Sequence, residues 1–327
     1  MENRNIVVLG GSAGSLSTFT QLVRDLGADF PAALLAVIHR HPTSGNWLAS
    51  LLASLTSLPV LAPDDAPLEL GHIYIAQPDR HLIVDEGRVR SMRGPRENQF
   101  RPAIDVLFRS AAVTYTSRVI GVLLSGELDD GTSGLHAIKR CGGVTLVQDP
   151  ESTTYSTMLD VALTNVGADR VVNPHELLSV LRELIATPAP KVPPPPAQLI
   201  AEARIATGTQ AITTDQFTAG PPTSLSCPEC GGPLWERGDG TEFRCLIGHA
   251  YALETLQRGS DAALDRTLWA AIRQFEQRAN IARTMAHQSR GRDQKVRADL
   301  HESRAKEAEA HAQRLRELQA RYRAGSE

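Results

Sequence analysis

Long hydrophobic runs are missing from this sequence: the longest, residues 30–38, falls far short of the roughly 20 apolar residues that span a bilayer. The N-terminal Met1-Glu-Asn-Arg lacks the apolar centre of a secretory signal. The expectation is a cytoplasmic protein with no direct membrane insertion. Charge of one sign is lacking too. A formal net charge of −3, with 22% charged and 42% hydrophobic residues, gives no general attraction for nucleic acid or anionic lipid. Cysteine is scarce and unevenly placed: of four, Cys141 stands alone and Cys227, Cys230 and Cys245 cluster with His249. That excludes a secreted disulfide framework and fits a reducing compartment.

What is present is a chain of 327 residues, enough for one sizeable core and one or two smaller units. From Ile6 to about Ile185, β-rich apolar runs (Ile6–Leu9, Ala33–Ile38, Ile73–Ala76, Val119–Leu124, Val144–Val147) alternate with helix-like stretches at Leu16–Leu26, Pro102–Thr114 and Gly134–Cys141. This alternation predicts an α/β domain, a doubly wound and mainly parallel sheet covered on both faces. The expected division is a catalytic-type domain over 1–187, a Pro-rich linker over 188–223 that buries almost nothing, a small Cys/His module over 224–257 and a charged helical region over 258–327. In the last, Leu264, Leu268, Ile272, Phe275 and Ala279 recur at helical spacing. Ser289-Arg-Gly-Arg offers a break before a sparser stripe of Val296, Leu300, Leu315, Leu318 and Tyr322, so an α-helical hairpin is expected.

Gly10-Gly-Ser12-Ala-Gly14 satisfies Gly-x-Ser-x-Gly between a predicted strand and a predicted helix, where a tight turn can expose a serine hydroxyl. A dinucleotide fingerprint would need glycine where Ser12 and Ser15 stand. The plain alternative is a strand-to-helix turn with Ser12 as a cap. His39 ends the next strand, and consecutive parallel strands end on one sheet edge, so Ser12 and His39 share a crevice. His41, followed by Pro42, reads as part of the departing loop. A third strand end, Ser125-Gly-Glu-Leu-Asp129-Asp130-Gly131, brings two carboxylates that could orient an imidazole.

At these residues the chain resembles the CheB family of chemotaxis protein-glutamate methylesterases, over about residues 4–185. The likeness extends to Gly71-His-Ile-Tyr-Ile-Ala-Gln-Pro-Asp-Arg-His81, Arg101-Pro-Ala-Ile-Asp-Val-Leu-Phe-Arg-Ser110 and Gln148-Asp-Pro-Glu-Ser152, blocks in the family's order. Carried over by position, the resemblance implies Ser12 as nucleophile, His39 as base and Asp130 as its carboxylate, with backbone N–H groups of Ala13 and Glu127 as oxyanion candidates. It implies hydrolysis of glutamate γ-methyl esters, or deamidation of glutamine, on a methyl-accepting chemoreceptor or similar coiled-coil sensory protein, with no cofactor for catalysis. Glu127-Leu128 replaces the family's usual Met-Gly, Ala13 and Ser15 replace Thr and Gly, and Met158-Leu-Asp stands where Met-Pro-Arg is common. An ionised Glu127 turned toward the site would oppose an oxyanion. Familiar members carry an N-terminal receiver domain, and with the first strand at about Asn5 none is expected in cis. Other readings are a noncatalytic sensory scaffold on this fold and a hydrolase of another ester or amide.

Cys227-Pro-Glu-Cys230 followed by Cys245-Leu-Ile-Gly-His249 gives two close ligand pairs, as a closed tetrahedral Zn²⁺ site requires. A structural zinc in a zinc-ribbon-like module is expected, and acidic residues among Glu229, Glu236, Asp239, Glu242 and Glu254 argue against nucleic-acid binding. Cys141 reads as a small semi-buried residue.

Overall fold

In the computed structural model, residues 3–205, 222–237 and 242–324 are described. The chain divides into two compact units, Met1–Leu256 and Gln257–Glu327. The first begins with β1 (Ile6–Gly11), α1 (Ser15–Asp25), β2 (Ala33–Ile38) and α2 (Trp47–Ala53). Short strands β3 (Val60–Leu61), β4 (Asp65–Pro67) and β5 (Ile73–Ile75) precede a hairpin of β6 (His81–Asp85) and β7 (Arg88–Met92). Then come α3 (Ile104–Tyr115), β8 (Val119–Leu123), α4 (Thr132–Arg140), β9 (Val144–Gln148), α5 (Thr157–Asn165), β10 (Arg170–Val172), α6 (Leu177–Ala186) and α7 (Ala197–Ile205).

Seven strands form one sheet in the order β10-β9-β8-β1-β2-β5-β3. Every pairing in it is parallel. β1 and β2 are buried at every position because both faces are covered. Their side chains alternate between two cores. Ile6, Val8, Leu35 and Val37 pack with Ile104, Leu107 and Phe108 of α3 and Leu135 and Ile138 of α4. Val7, Leu9, Leu34 and Ala36 pack with Phe19, Leu22 and Val23 of α1 and Leu181 and Leu184 of α6. Cys141 is buried in the first of these cores, and burial pushes its thiol pKa up. The chain proceeds from β1 to β2 on one side and later returns to β8 on the other. The carboxyl ends of β1, β2 and β8 therefore flank a topological switch point, where open α/β sheets bind ligands.

Three features depart from the expectation. An antiparallel sheet of order β4-β7-β6 sits between β3 and α3 in the chain. The Pro-rich stretch is not inert: Leu199, Ala203 and Ile205 of α7 are buried, and Ser117 Oγ donates to Pro190 O at 2.6 Å. Residues 206–221 of the expected linker lie outside the described residues, as do 238–241 of the Cys/His module, with Asp239, and 325–327 of the helical region. That module forms a four-stranded antiparallel sheet, β11 (Pro222–Ser226), β12 (Pro233–Arg237), β13 (Glu242–Cys245) and β14 (Ala250–Ala252), within the first unit.

The second unit is the expected hairpin, formed by helices Leu253–Gly291, whose first residues belong to the first unit, and Lys295–Ala324. Tyr322, Arg323 and Gln319 return to Asp261 and Asp265, and Arg290 pairs with Glu302, so the helices run antiparallel. Its seam agrees with the expected stripe only in part. Ile272 and Ala279 are buried as expected, but Leu264, Val296, Leu300 and Leu318 are exposed, and Ala282, Ala286, Ala298, Ala305 and Ala312 are buried in the seam, because small side chains let two helices approach closely.

Candidate active site

β1 runs straight into the Gly10–Gly14 turn that carries Ser12. Ser12 N–H donates to Ser125 O at 2.9 Å, tying the turn to the loop after β8, and Ser12 O accepts from Ser15 N–H at 3.2 Å and Ser15 Oγ at 2.7 Å. Ser15, where the family has glycine, thus closes the turn with its own hydroxyl. Gly14 caps α1 at φ 78, a backbone region costly for any other residue, and a Cβ there would stand 2.7 Å from the Tyr155 ring. Gly126 permits the close approach of the two loops, since a Cβ on it would lie 2.8 Å from Ser12 Cβ and 2.4 Å from Met158 Cε. Ser12 itself is partly exposed.

His39 emerges one residue beyond the pairing of Gly11 with Ile38, its N–H bonded to Gly11 O at 2.9 Å. This places it beside Ser12 on the same edge. Its Nε2 lies 2.7 Å from Asp130 Oδ2, and its ring stacks on Phe100 with centroids 3.7 Å apart and planes 12° apart. With Asp130 accepting from Nε2–H, Nδ1 carries the lone pair; it is buried and has no hydrogen-bond partner among the described residues. His41 instead contacts Thr43 Oγ1 at 2.7 Å in an exposed loop.

Asp130 is fully buried and accepts from four donors: His39 Nε2, Ile104 N–H at 2.7 Å, Asp105 N–H at 3.2 Å and Asn98 Nδ2 at 3.3 Å. A carboxylate has about four acceptor directions, and all are used. The neighbouring Asp105 takes N–H bonds from Gly131 at 3.0 Å and Gly134 at 2.6 Å, and from Asn98 Nδ2 at 2.9 Å. Burial, with the Asp130 charge beside it, pushes Asp105 well above the usual carboxylate range. His39 is bonded to Asp130 and not to Asp129, whose Oδ1 is buried without a partner among the described residues; burial together with Asp130 raises Asp129 to about 7.

The N–H groups of Ala13 and Glu127 have no hydrogen-bond acceptor among the described residues. The Glu127 side chain is exposed, so its charge is held in water while its N–H remains usable. The loop around it is fixed by Gly126 N–H to Tyr155 O at 3.0 Å, Met158 N–H to Gly126 O at 3.1 Å and Ser125 N–H to Gln148 Oε1 at 3.1 Å. Sequence reasoning had no hold on Asn98, Phe100 as a stacking partner, or Asp105 as a brace. They lie in a stretch with no periodicity or at ordinary helix positions, and only the Arg101–Ser110 block pointed to that region.

The four Cys/His ligand atoms lie within 4.8 Å of one another. Cys230 Sγ is 3.6 Å from Cys245 Sγ, and His249 Nδ1 is 3.6 Å from Cys227 Sγ and 3.5 Å from Cys245 Sγ. Tetrahedral ligands at Zn–S distances of about 2.3 Å stand about 3.7 Å apart, so the residues fit the ion. Glu229 Oε2, 3.4 Å from His249 Nε2, would orient the ligand imidazole.

The sequence model of the CheB methylesterase family matches residues 7–181. A protein-glutamate methylesterase/protein-glutamine glutaminase of Anaeromyxobacter dehalogenans is 38% identical over 180 residues, 55% of this chain and 53% of that protein. The chain thus spans about half the length of that relative. A putative protein of the same name from Leptospira interrogans is 31% identical over 185 residues, 56% of this chain and 95% of the other. The crystal structure of the Thermotoga maritima CheB methylesterase catalytic domain is 31% identical, covers 57% of this chain and 100% of its own, and superposes with a TM-score of 0.53. Sharing that sheet and matched by the family's sequence model over most of its first unit, the chain belongs to the CheB methylesterase family.

Proposed function

We propose that this chain hydrolyses γ-methyl esters of glutamate on a methyl-accepting, coiled-coil sensory protein, with Ser12, His39 and Asp130 as its catalytic groups. The observation that carries the reading is His39: anchored through Nε2 on a buried carboxylate, it keeps an unpartnered Nδ1 at the strand end beside Ser12. Ser12 Oγ attacks the ester carbonyl as its proton passes to His39 Nδ1, and Asp130 stabilises the imidazolium through Nε2–H. The oxyanion is held by the N–H groups of Ala13 and Glu127, each worth about 3 kcal/mol by analogy with single-donor deletions elsewhere, and by the N-terminus of α1. His39 returns the proton to the departing methoxide, which leaves as methanol. Water then attacks the acyl-serine, activated by the same Nδ1, releasing glutamate and Ser12.

The relatives' names pair esterase with glutaminase activity, and the same attack on a primary amide would release ammonia. A structural Zn²⁺ on Cys227, Cys230, Cys245 and His249 completes the reading; its four protein ligands leave no open position, so it would tie the module together. Among the described residues no helix is long and apolar enough to cross a membrane. Methanol and ammonia release from methylated and glutamine-bearing receptor fragments tests the proposal. Both should vanish in Ser12→Ala with the fold retained. Equal release by wild type and Ser12→Ala would reject it.

A further inference from the structure

Between β7 and α3 the chain makes a tight turn closed by Glu97 N–H to Phe100 O at 3.3 Å and Phe100 N–H to Glu97 O at 2.8 Å. Its two central residues, Asn98 and Gln99, have φ of 50 and 67. Left-handed backbone costs non-glycine residues of order 1 kcal/mol each, and it persists where surrounding contacts hold it. Here the turn serves the catalytic groups directly. It lays Phe100 on the His39 ring and aims the Asn98 amide nitrogen at Asp105 Oδ2 and Asp130 Oδ1.

What grips the turn is the Cys/His module, part of the same compact unit. Asn98 N–H donates to Ala250 O at 2.8 Å. Asn98 Oδ1 accepts from Ala252 N–H at 3.1 Å and Thr255 Oγ1 at 3.2 Å. Gln99 Nε2 donates to Thr255 O at 2.8 Å. Glu97 Oε1 bridges Arg109 of α3, at 2.6 Å, and Arg244 of β13, at 3.1 Å. Arg244 directly precedes Cys245, and Ala250 directly follows His249. Two of the four footholds on the turn, Arg244 and Ala250, are thus chain neighbours of two metal ligands. Besides the β13–β14 pairing that flanks it, the Cys245–His249 knuckle is closed by Gly248 N–H to Cys245 O, Cys245 N–H to His249 O and Arg244 Nη1 to Gly248 O at 3.1 Å. The module's own apolar cluster has six members, two of which are the ligands Cys227 and Cys245. So small a core does not hold a fold without its metal.

The amide at position 98 is read from both ends. Ala252 N–H and Thr255 O–H require an acceptor, whereas the two carboxylates require a donor. Asparagine provides both in one side chain. Aspartate would add a third carboxylate to a buried pair, and alanine would leave Asp105 and Asp130 each one donor short.

We infer that Asn98 is a positioning residue for the His39–Asp130 pair, held in place by the Cys/His module, so that loss of the module's metal switches off Ser12. The inference rests on the proposed roles of Ser12, His39 and Asp130. Metal occupancy acts here without any contact between the ion and the substrate: an ordered knuckle holds Arg244, Ala250 and Ala252, they hold the 97–100 turn, and the turn holds His39 and Asp130. A cysteine-ligated site of this kind would also make the hydrolase responsive to thiol oxidation or zinc withdrawal.

The test measures Ser12 reactivity independently of any receptor substrate. An alkyl fluorophosphonate labels an activated serine: the Oγ–P bond forms, fluoride leaves, and the serine proton passes to His39. Labelling and zinc content are followed in full-length wild type, in wild type stripped with a chelator and then reloaded, and in Asn98→Ala and Thr255→Val. Stripping and Asn98→Ala should each slow labelling about 10- to 100-fold, the usual effect of removing an orienting partner. Reloading with zinc should restore the first and not the second. Asn98→Ala should retain one zinc per chain and, with rates expressed per folded molecule counted by its melting transition, lower kcat on ester substrate with KM little changed. Thr255→Val, which removes the hydroxyl at the module end of the amide together with its hydrogen bond to Asp129 and leaves the amide's donor end in place, should slow labelling to a lesser degree. Hydrogen exchange should show residues 94–103 losing protection when zinc is removed. Wild-type labelling rates in the zinc-free chain, or in zinc-loaded Asn98→Ala, would overturn the inference. Zinc-dependent Ser12 labelling in a chain that releases no methanol would support it while rejecting the proposed substrate.

Discussion

Replacing Asp129 with asparagine separates the two adjacent carboxylates of the β8 loop. Asp129 is 2% exposed, its Oδ1 has no partner, and burial beside Asp130 raises it from 3.8 to about 7, with Thr255 opposing the shift. In the unfolded chain it ionises near its ordinary value. Between about pH 4 and 7 the folded state therefore binds more protons than the unfolded one, so this group's contribution to stability is present at low pH and lost as pH rises toward 7. A shift of about three units amounts to about 4 kcal/mol. Asparagine cannot ionise, and its constant packing cost cancels when two pH values are compared. The quantity to measure is the stability of Asp129→Asn relative to wild type at pH 8 minus the same difference at pH 4, from denaturant unfolding of the full chain. It should favour the variant by about 4 kcal/mol, reduced to the extent that the wild-type site relaxes when charged. Activity at pH 7 should change by only a few-fold, whereas Asp130→Asn should lose about 10³–10⁴-fold, as removal of a triad carboxylate does elsewhere. A double difference near zero would refute the burial argument, and an Asp129→Asn loss as large as that of Asp130→Asn would refute the assignment of the two roles.

Glu97 gives the opposite pH sign. Burial works against its charge, but Arg109 and Arg244 hold it down at about 2, so its stabilisation is present above its ordinary 4.5 and lost as pH falls toward 2. Glu97→Gln should cost about 3–5 kcal/mol near neutrality by stranding two buried guanidinium groups, and thermal melts should show the deficit shrinking below pH 4. If the deficit is independent of pH, the ion pairs are not its source. Gly126→Ala should destabilise by about 1–3 kcal/mol through overpacking against Met158 and should abolish Ser12 labelling, because the new methyl meets Ser12 Cβ. Unchanged labelling would show that the loops can part without cost.

The central strands were legible because a fully buried parallel strand is written as an unbroken apolar run, as in Ile6–Leu9 and Ala33–Ile38. The metal cluster was legible because three thiols and an imidazole at close spacing seldom occur together without an ion to bind. The helix at Ala197–Ile205 was hidden behind the proline run: its buried apolar positions, Leu199, Ala203 and Ile205, are too few for a clear period. The hairpin was legible as helix but only partly as seam: Ile272 and Ala279 of the expected stripe are buried, while the other buried alanines read as filler until a second helix lies against them. Asn98 and Asp105 were illegible for a deeper reason. A buried polar network is specified by partners far apart in the chain, Asn98 with Asp130 and Thr255, and no local pattern marks its members.

The strand order β10-β9-β8-β1-β2-β5-β3 also sets a timetable. Ser12 leaves the ribosome on the strand that becomes the middle of the sheet, yet its aspartate arrives with β8, 118 positions later (130 − 12). At about 5–20 residues per second that is a wait of about 6–24 s, and the residues that clamp Asn98 take about as long again. On the proposed roles, a nascent chain therefore carries Ser12 without its partners until both of those later segments have emerged.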